Sequence, residues 1–460
     1  MSAQPLWTIA EVAKALGLSG TFPETPIDFV TQDSRLVKPG CLFVALSGTP
    51  SGGFISSFAS ARDGWEFADK AEAAGAVAVI VPHRIESISI PQLIVKDTLI
   101  DGLWALARAA RARFSGPVIG LTGSAGKTST KEFLAAYPKA YASPSSFNNF
   151  WGVPLTLCNA SPEATLWVVE MGMNQTGEIA RLSELTKPTV ALVVNVQPVH
   201  LEKLGSLEAI RREKASIAQG LPKGGVLVLP TDVEAPEWLG KLIRFGGASE
   251  VRELKHAAHG ESWDVIAEVG GNEVEFSLTP GAPHRLQNAL AALASIHAAS
   301  LDAAALAKQL DKVGIMTGRG VEQSASGVVV IDDSFNGNPA SMVAALGSLK
   351  ARPVQAGRRI AILGDMLELG ADAPAYHEKL VNDLPGIDGV FCVGPLMRHL
   401  YDLLPSGQGL GWHEDPATLE PHKVAALLQS GDVVVVKGSK KMFWVNKFVP
   451  KLLAALQAKA

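Results

Sequence analysis

Between Gly120 and Tyr137 the chain reads GLTGSAGKTSTKEFLAAY, and its small and polar residues are of the types that bind phosphate. Gly123 and Gly126, with Ser124 and Ala125 between them, let backbone N–H groups converge on phosphate oxygens. Lys127 supplies a point charge, Thr128 offers a hydroxyl to Mg2+, and Ser129 continues into a helix whose N-terminus adds its positive dipole end. The apolar run from Pro117 to Thr122 predicts a strand ahead of the loop, so strand, loop and helix follow in the order a nucleotide cradle requires. Leu121 stands where the full G-x4-G-K-[ST] pattern has its first glycine. The chemistry predicted is binding of ATP or GTP. The alternative is a tight strand-to-helix turn with no ligand.

Other polar residues lie where such a site would need them. Ligands of an open parallel sheet sit outside the carboxyl ends of its strands. The run LWVV ends at Glu170, and VALVVNV is followed closely by His200. Both are candidates for sharing a metal, although a helix-capping acid and an ordinary loop histidine remain open. In SLEAIRREKASIAQGL, Leu207, Ile210, Ile217 and Leu221 form a stripe at helical spacing, and Lys214 falls on it. A lysine there either snorkels beside Glu213 or is neutral enough to capture CO2 as a carbamate, which would turn a cation into an oxygen ligand. Asp332, Asp333, Ser334, Phe335, Asn336, Gly337, Asn338 and Pro339 stand at a predicted strand-to-helix turn. They are either caps and Asx-turns or a second set of nucleotide contacts, with Arg319 placed on a preceding linker to meet phosphate.

These residues need elements to position them. A chain of 460 residues is long enough for about three domains, each with its own core. Hydrophobic residues make up 47% and charged ones 19%, which excludes a disordered, collagen-like or coiled-coil chain. With 41 basic against 45 acidic side chains, nothing advertises nucleic acid or an anionic membrane surface as a partner. Cys41, Cys158 and Cys392 lack metal-ligand spacing and fit a reducing compartment. The N-terminal residues have no apolar h-region, and polar residues interrupt Ala289 to Leu310, so neither a secretory signal nor a membrane span is expected.

From Leu42 to Ile94, short β-branched runs predict a small α/β domain, interrupted by a Gly- and Ser-rich surface loop from Gly48 to Gly64. From Pro117 the runs PVIGLT, LWVVEMG, TVALVVNV and GGVLVLP alternate with helical patterns, which predicts a doubly wound, mostly parallel sheet. A long helix then covers HRLQNALAALASIHAAS, Gly314 to Gly320 reads as a linker, and GVVVIDDS, RRIAILGDM, GVFCVG and DVVVVKGS form a third alternating set. The predicted fold is α/β in three domains: 1–107, 108–317 with a P-loop ATPase-like sheet, and 318–460 with a Rossmann-like one.

Taken in order, the motifs resemble the Mur ligase family of bacterial cell-wall synthesis. Thr122 to Thr128 looks like that family's version of the phosphate loop. Asn148 to Thr156, Glu170-Met171-Gly172, Gly177-Glu178-Ile179 and Asn195 to Glu202 match in sequence order, followed by Asn288, Gly318-Arg319 and Asp332 to Met342. Leu363 to Gly370 and Lys437-Gly438-Ser439 complete the set, while Asp33-Ser34-Arg35 and Pro39 to Leu46 resemble the uridine-nucleotide domain. Phe335 stands where the family usually has Tyr.

The resemblance implies an ATP-dependent amide ligase, most similar to the member that joins D-alanyl-D-alanine to UDP-N-acetylmuramoyl-tripeptide. It implies ATP contacts from the phosphate loop, Asn288 near adenine, and Arg319, Asp333 and Asn336 reaching the same nucleotide. Lys127, Lys214 and His200 would be catalytic. Mg2+ would be held by Thr128, Glu170, His200 and a carbamylated Lys214, and the substrate by Ser34, Arg35, Asn148 and Asn149. A cytoplasmic monomer is implied. Another ligase of this architecture, a folylpolyglutamate synthase for example, or a P-loop ATPase switch remains open.

Overall fold

The computed structural model describes residues 5–54, 60, 62–238, 240–259, 262–279, 284–352, 354 and 356–459. Three sheets, each flanked by helices, account for most of the chain. In the first, strands Phe29–Thr31, Cys41–Val44, Ala76–Val81 and Gln92–Ile94 lie side by side in sequence order and all parallel. Every residue of Cys41–Val44 is buried, as a parallel strand covered on both faces requires.

Among the described residues the second sheet has nine strands. Val118–Thr122 lies between Val190–Val193 and Leu166–Glu170, parallel to both, and all three are buried along their length. Their carboxyl ends therefore open on one edge. Val226–Pro230 and Lys241–Phe245 continue the parallel set. An antiparallel meander of Val251–His259, Ser262–Val269 and Asn272–Leu278 then closes that side. No strand is expected there from the apolar runs, although NEVEFSL alternates apolar and polar residues. Helix His284–Ala298, expected from its pattern, packs on helix Lys127–Ala135 through a nearly all-buried, alanine-rich surface that permits close approach.

The third sheet runs Val321–Ala325, Val328–Asp333, Val433–Lys437, Arg359–Gly364, Gly389–Val393 and Gly409–His413 in spatial order. Only the first pair is antiparallel. Residues 314–320 connect the second and third sheets without helix or strand, as expected for a linker.

Two expectations are corrected. The segment from Gly48 does not lie wholly on the surface: Phe54 is buried, stacked on Phe150 with ring centroids 5.1 Å apart and tilted against Trp104 at 5.2 Å. Arg181 lies over the Phe54 ring and donates to the Gly52 carbonyl at 2.7 Å. One inserted phenyl ring removes enough apolar area from water to hold a glycine-rich chain down, at roughly 1.5–3 kcal/mol. Residues 55–59 and 61 of that segment lie outside the described ones. Leu207, placed on the buried stripe of its helix, is 47% exposed. Ile210, Lys214 and Ile217 are buried, so the covered face begins one turn later. No helix among the described residues is long and apolar enough to cross a membrane.

Candidate active site

The phosphate loop leaves the buried strand Val118–Thr122 and turns into helix Lys127–Ala135 at Gly126, whose φ of 75° is left-handed. That conformation is nearly free for glycine and costs about 1–2 kcal/mol for other residues. A Cβ at Gly126 would also stand 2.5 Å from Oδ1 of Asn288. Gly126→Ala is therefore expected to distort the cradle and weaken ATP binding by a factor of about 5–30. Isothermal titration calorimetry with an ATP analogue checks this, and an affinity indistinguishable from that of the parent chain would show that the loop tolerates a side chain.

The loop is held rigid from the end of the neighbouring strand. Asn195 accepts from the N–H of Ser124 through its carbonyl at 3.1 Å and from that of Ala125 through Oδ1 at 2.9 Å, and its Nδ2 donates to the Ala125 carbonyl. Ser124 Oγ donates to the Gln197 carbonyl at 2.9 Å and accepts from the Gln197 N–H at 2.8 Å. The first N–H groups of the helix have no intrahelical acceptor and are the donors available to an anion. Lys127 Nζ rests on the Gly123 carbonyl at 2.7 Å. Burial lowers its pKa, with Glu170 opposing that effect and Arg319 adding to it.

A cavity of about 280 Å³ opens over this loop. Ser124 to Ser129 form its floor, with Asn148, Glu170 and Asn288 beside them. Arg319, Asp333, Asn336 and Lys437 face them from the third sheet and its linker. The structure thus brings together residues lying hundreds of positions apart. Arg319 Nη2 reaches Thr128 Oγ1 at 3.2 Å, and its guanidinium lies over the Phe335 ring, 4.3 Å from the centroid. The ring face suffices for that contact, so the missing tyrosine hydroxyl is not needed to hold Arg319. Lys437, quoted in the sequence only as part of a motif, ends its strand in register with Asp333 and bonds it at 2.7 Å. Its place at a strand terminus is the signal that would have marked it. A second cavity of about 440 Å³ adjoins the first, shares Ser129, Asn288 and Arg319, and adds Trp263, Ile315 and Met316. Asn288 is 2% exposed and its Nδ2 has no partner among the described residues.

The donor set suits a hard cation. Glu170 is buried; its Oε1 accepts from Asn148 Nδ2 at 2.7 Å while Oε2 has no partner among the described residues. An unpartnered buried carboxylate oxygen beside a threonine hydroxyl fits Mg2+, which takes oxygen ligands. His200 does not line the cavity. Its Nδ1 bonds Glu368 of the third-sheet region, whose carboxyl is held below its usual range chiefly by that bond. Among the described residues no group of three or more His, Cys, Asp or Glu forms a metal cage. Lys214 is buried, and its ammonium has no hydrogen-bond or ion-pair partner among the described residues. Its pKa falls well below the usual lysine value because of burial, aided by repulsion from Lys127 and opposed by Glu213. Glu213 does not pair with it: its carboxylate accepts from the N–H groups of Gly177 at 2.7 Å and Ile179 at 3.0 Å, at the start of helix Glu178–Thr186.

The residues predicted for substrate are dispersed. Ser34 and Arg35 follow a strand of the first sheet and do not line the phosphate cavity; Arg35 is ion-paired with Asp33 at 2.7 Å. Asn149 accepts from Gly152 N–H at 2.9 Å and so caps the start of helix Gly152–Asn159. Only Asn148 of this set reaches the cavity.

Comparison with known proteins agrees with this geometry. Residues 121–296 match the Mur ligase middle domain, and residues 319–440 the Mur ligase, glutamate ligase domain. Among solved structures, a MurF from Acinetobacter baumannii superposes with a TM-score of 0.82 at 26% identity, covering 97% of this chain and 99% of that one. A MurF ligase from Thermotoga maritima in complex with ADP superposes at 0.77, also 26% identical, covering 94% and 98%. The UDP-N-acetylmuramoyl-tripeptide–D-alanyl-D-alanine ligase of Escherichia coli (strain K12) is 34% identical over 435 residues, which are 90% of this chain and 91% of that one. With the phosphate loop, the facing third-sheet residues and near full-length similarity in agreement, the chain belongs to the Mur ligase family.

Proposed function

We propose that the chain is the ATP-dependent ligase that joins D-alanyl-D-alanine to the peptide carboxylate of UDP-N-acetylmuramoyl-tripeptide, in the supply of peptidoglycan precursors. The observation that carries this reading is the shared cavity, in which the phosphate loop faces Arg319, Asp333 and Lys437 from the third sheet and its linker. A carboxylate is a poor electrophile, so its oxygen first takes the γ-phosphoryl as the β–γ P–O bond breaks and ADP leaves, which gives an acyl phosphate. The neutral amine of D-alanyl-D-alanine then attacks the acyl carbon, its nitrogen gives up a proton to solvent as the amide forms, and phosphate leaves with the C–O bond electrons. Here the protein mainly positions groups and neutralises charge. Lys127 and Arg319 oppose the phosphate charge, and the loop N–H groups orient the phosphates. Asn288 and the adjoining apolar cavity take the adenine.

Thr128 and Glu170 would hold Mg2+, which would offset repulsion between the phosphates and the acceptor carboxylate. A neutral Lys214 amine would bond the carbon of CO2 and release a proton, and with His200 that carbamate would offer ligands to a second Mg2+. The domains divide at 107/108 and 317/318. The first binds the UDP-sugar through Ser34 and Arg35, and Asn148 and Asn149 meet the substrate from the second. The enzyme works in the cytoplasm as a monomer, without nucleic acid or membrane insertion.

A coupled ADP-release assay with UDP-N-acetylmuramoyl-tripeptide, with and without D-alanyl-D-alanine, tests the assignment. ADP release should require both acceptors. ATP turnover independent of either would identify a nucleotide-driven switch, and preference for another UDP-muramoyl-peptide a different ligase of this architecture.

A further inference from the structure

The motif from Leu363 to Gly370 contributes nothing to the lining of the phosphate cavity. Its turn is nevertheless built firmly. The Met366 N–H donates to Nε2 of His377, a fully buried histidine, at 2.9 Å. The Leu367 N–H donates to Ser439 Oγ at 2.8 Å. These bonds leave Glu368 at the tip with a left-handed φ of 64°. Opposite stands His200, also left-handed at 54°, where the chain enters helix Leu201–Leu204. The Glu368 carboxylate meets His200 Nδ1. The Glu202 N–H donates to the Glu368 carbonyl at 3.2 Å. The backbones approach so closely at Gly370 that a Cβ there would stand 3.3 Å from the Glu202 Cα.

Left-handed backbone at non-glycine residues costs energy and persists where the surroundings over-determine it. Here two such residues face each other across the boundary between sheets, joined through their side chains and, one turn on, through the Glu202 backbone. The chain before His200 runs back to Gln197 and Asn195, the residues that fasten Ser124 and Ala125 of the phosphate loop. A carboxylate only accepts, so the proton of this bond lies on Nδ1, and in the neutral ring Nε2 keeps a free lone pair.

We propose that Glu368 is a positioning residue: reaching from the third-sheet region, it holds the His200 imidazole in one tautomer and one orientation, and so sets the segment beside the phosphate loop for reaction. The proposal rests on the ligase reading for its kinetic measurement alone.

The test compares the full-length chain with Glu368→Ala, Glu368→Leu and Glu368→Asp. In ¹⁵N-imidazole spectra, with the His200 signal assigned by its loss in His200→Gln, the parent should show a fixed Nδ1-protonated ring. Glu368→Ala should show averaged tautomers. The alanine variant should lose kcat by about 10–100-fold with KM for ATP nearly unchanged, and aspartate should recover part of the loss. If Glu368→Ala does not fold, Glu368→Leu, which keeps side-chain bulk but offers Nδ1–H no acceptor, is read in its place for the loss of kcat. An unchanged His200 spectrum in Glu368→Ala, or an unchanged kcat in a folded variant, would overturn the proposal. If the parent itself releases no ADP with any UDP-muramoyl-peptide, the ligase reading fails and the spectra still decide the role of Glu368.

Discussion

Lys127→Ala should abolish ligation, with ADP release falling by about 10²-fold or more, the usual cost of losing one preorganised charge contact at a reacting group. The size of the effect follows from the setting. Lys127 is the only side-chain cation within the loop, and it is half-buried, so its charge acts on phosphate with less screening than in bulk water. Its rest position on the Gly123 carbonyl means that nucleotide binding exchanges one acceptor for another and requires no new ordering of the side chain. Arg319 does not substitute for it, because it approaches from the linker and bonds Thr128. Steady-state ADP release with both acceptors present is the measurement, with circular dichroism to verify the fold. Near-parental turnover in a folded Lys127→Ala chain would remove the nucleotide assignment.

The second large effect is expected at Lys214. A buried ammonium with no partner among the described residues is costly, and the chain relieves that cost by favouring the neutral amine. The neutral amine is also the form that reacts with CO2. Lys214→Ala should lower activity by about 10²-fold, and acetate or formate should restore part of it by occupying the vacated ligand space. A lysine serving only to prop the helix would predict a lower melting temperature and no rescue. The direction with pH follows from the lowered pKa. As pH rises from mildly acidic to mildly basic values the neutral fraction grows, so stimulation of the parent enzyme by bicarbonate should grow with it. Absence of both rescue and bicarbonate stimulation would leave Lys214 a structural residue.

Features that depend on near neighbours were legible in the amino-acid order. The phosphate loop is legible because a buried strand, two glycines, a lysine and a helix start are consecutive, and each constrains the next through local backbone geometry. Glu170 and Asp333 were legible for a related reason. Side chains at the carboxyl ends of parallel strands converge on one edge whatever the details of packing. Lys214 announced itself as a cation on an apolar stripe, even though Leu207 proved to lie outside the covered face.

Features that depend on distant segments meeting emerge only in the folded chain. Nothing near Phe54 in sequence indicates that its ring stacks on Phe150. The meander from Val251 to Leu278 gained its identity as a sheet extension from the edge it pairs with. His200 and Glu368 are separated by 168 positions, and no periodicity relates them. Such contacts are made by loops, whose side chains follow no repeat and whose conformations are set by whichever surfaces the surrounding elements bring within reach. Burial of the sheets brings those surfaces together, and the short polar contacts then select one arrangement of the loops between them.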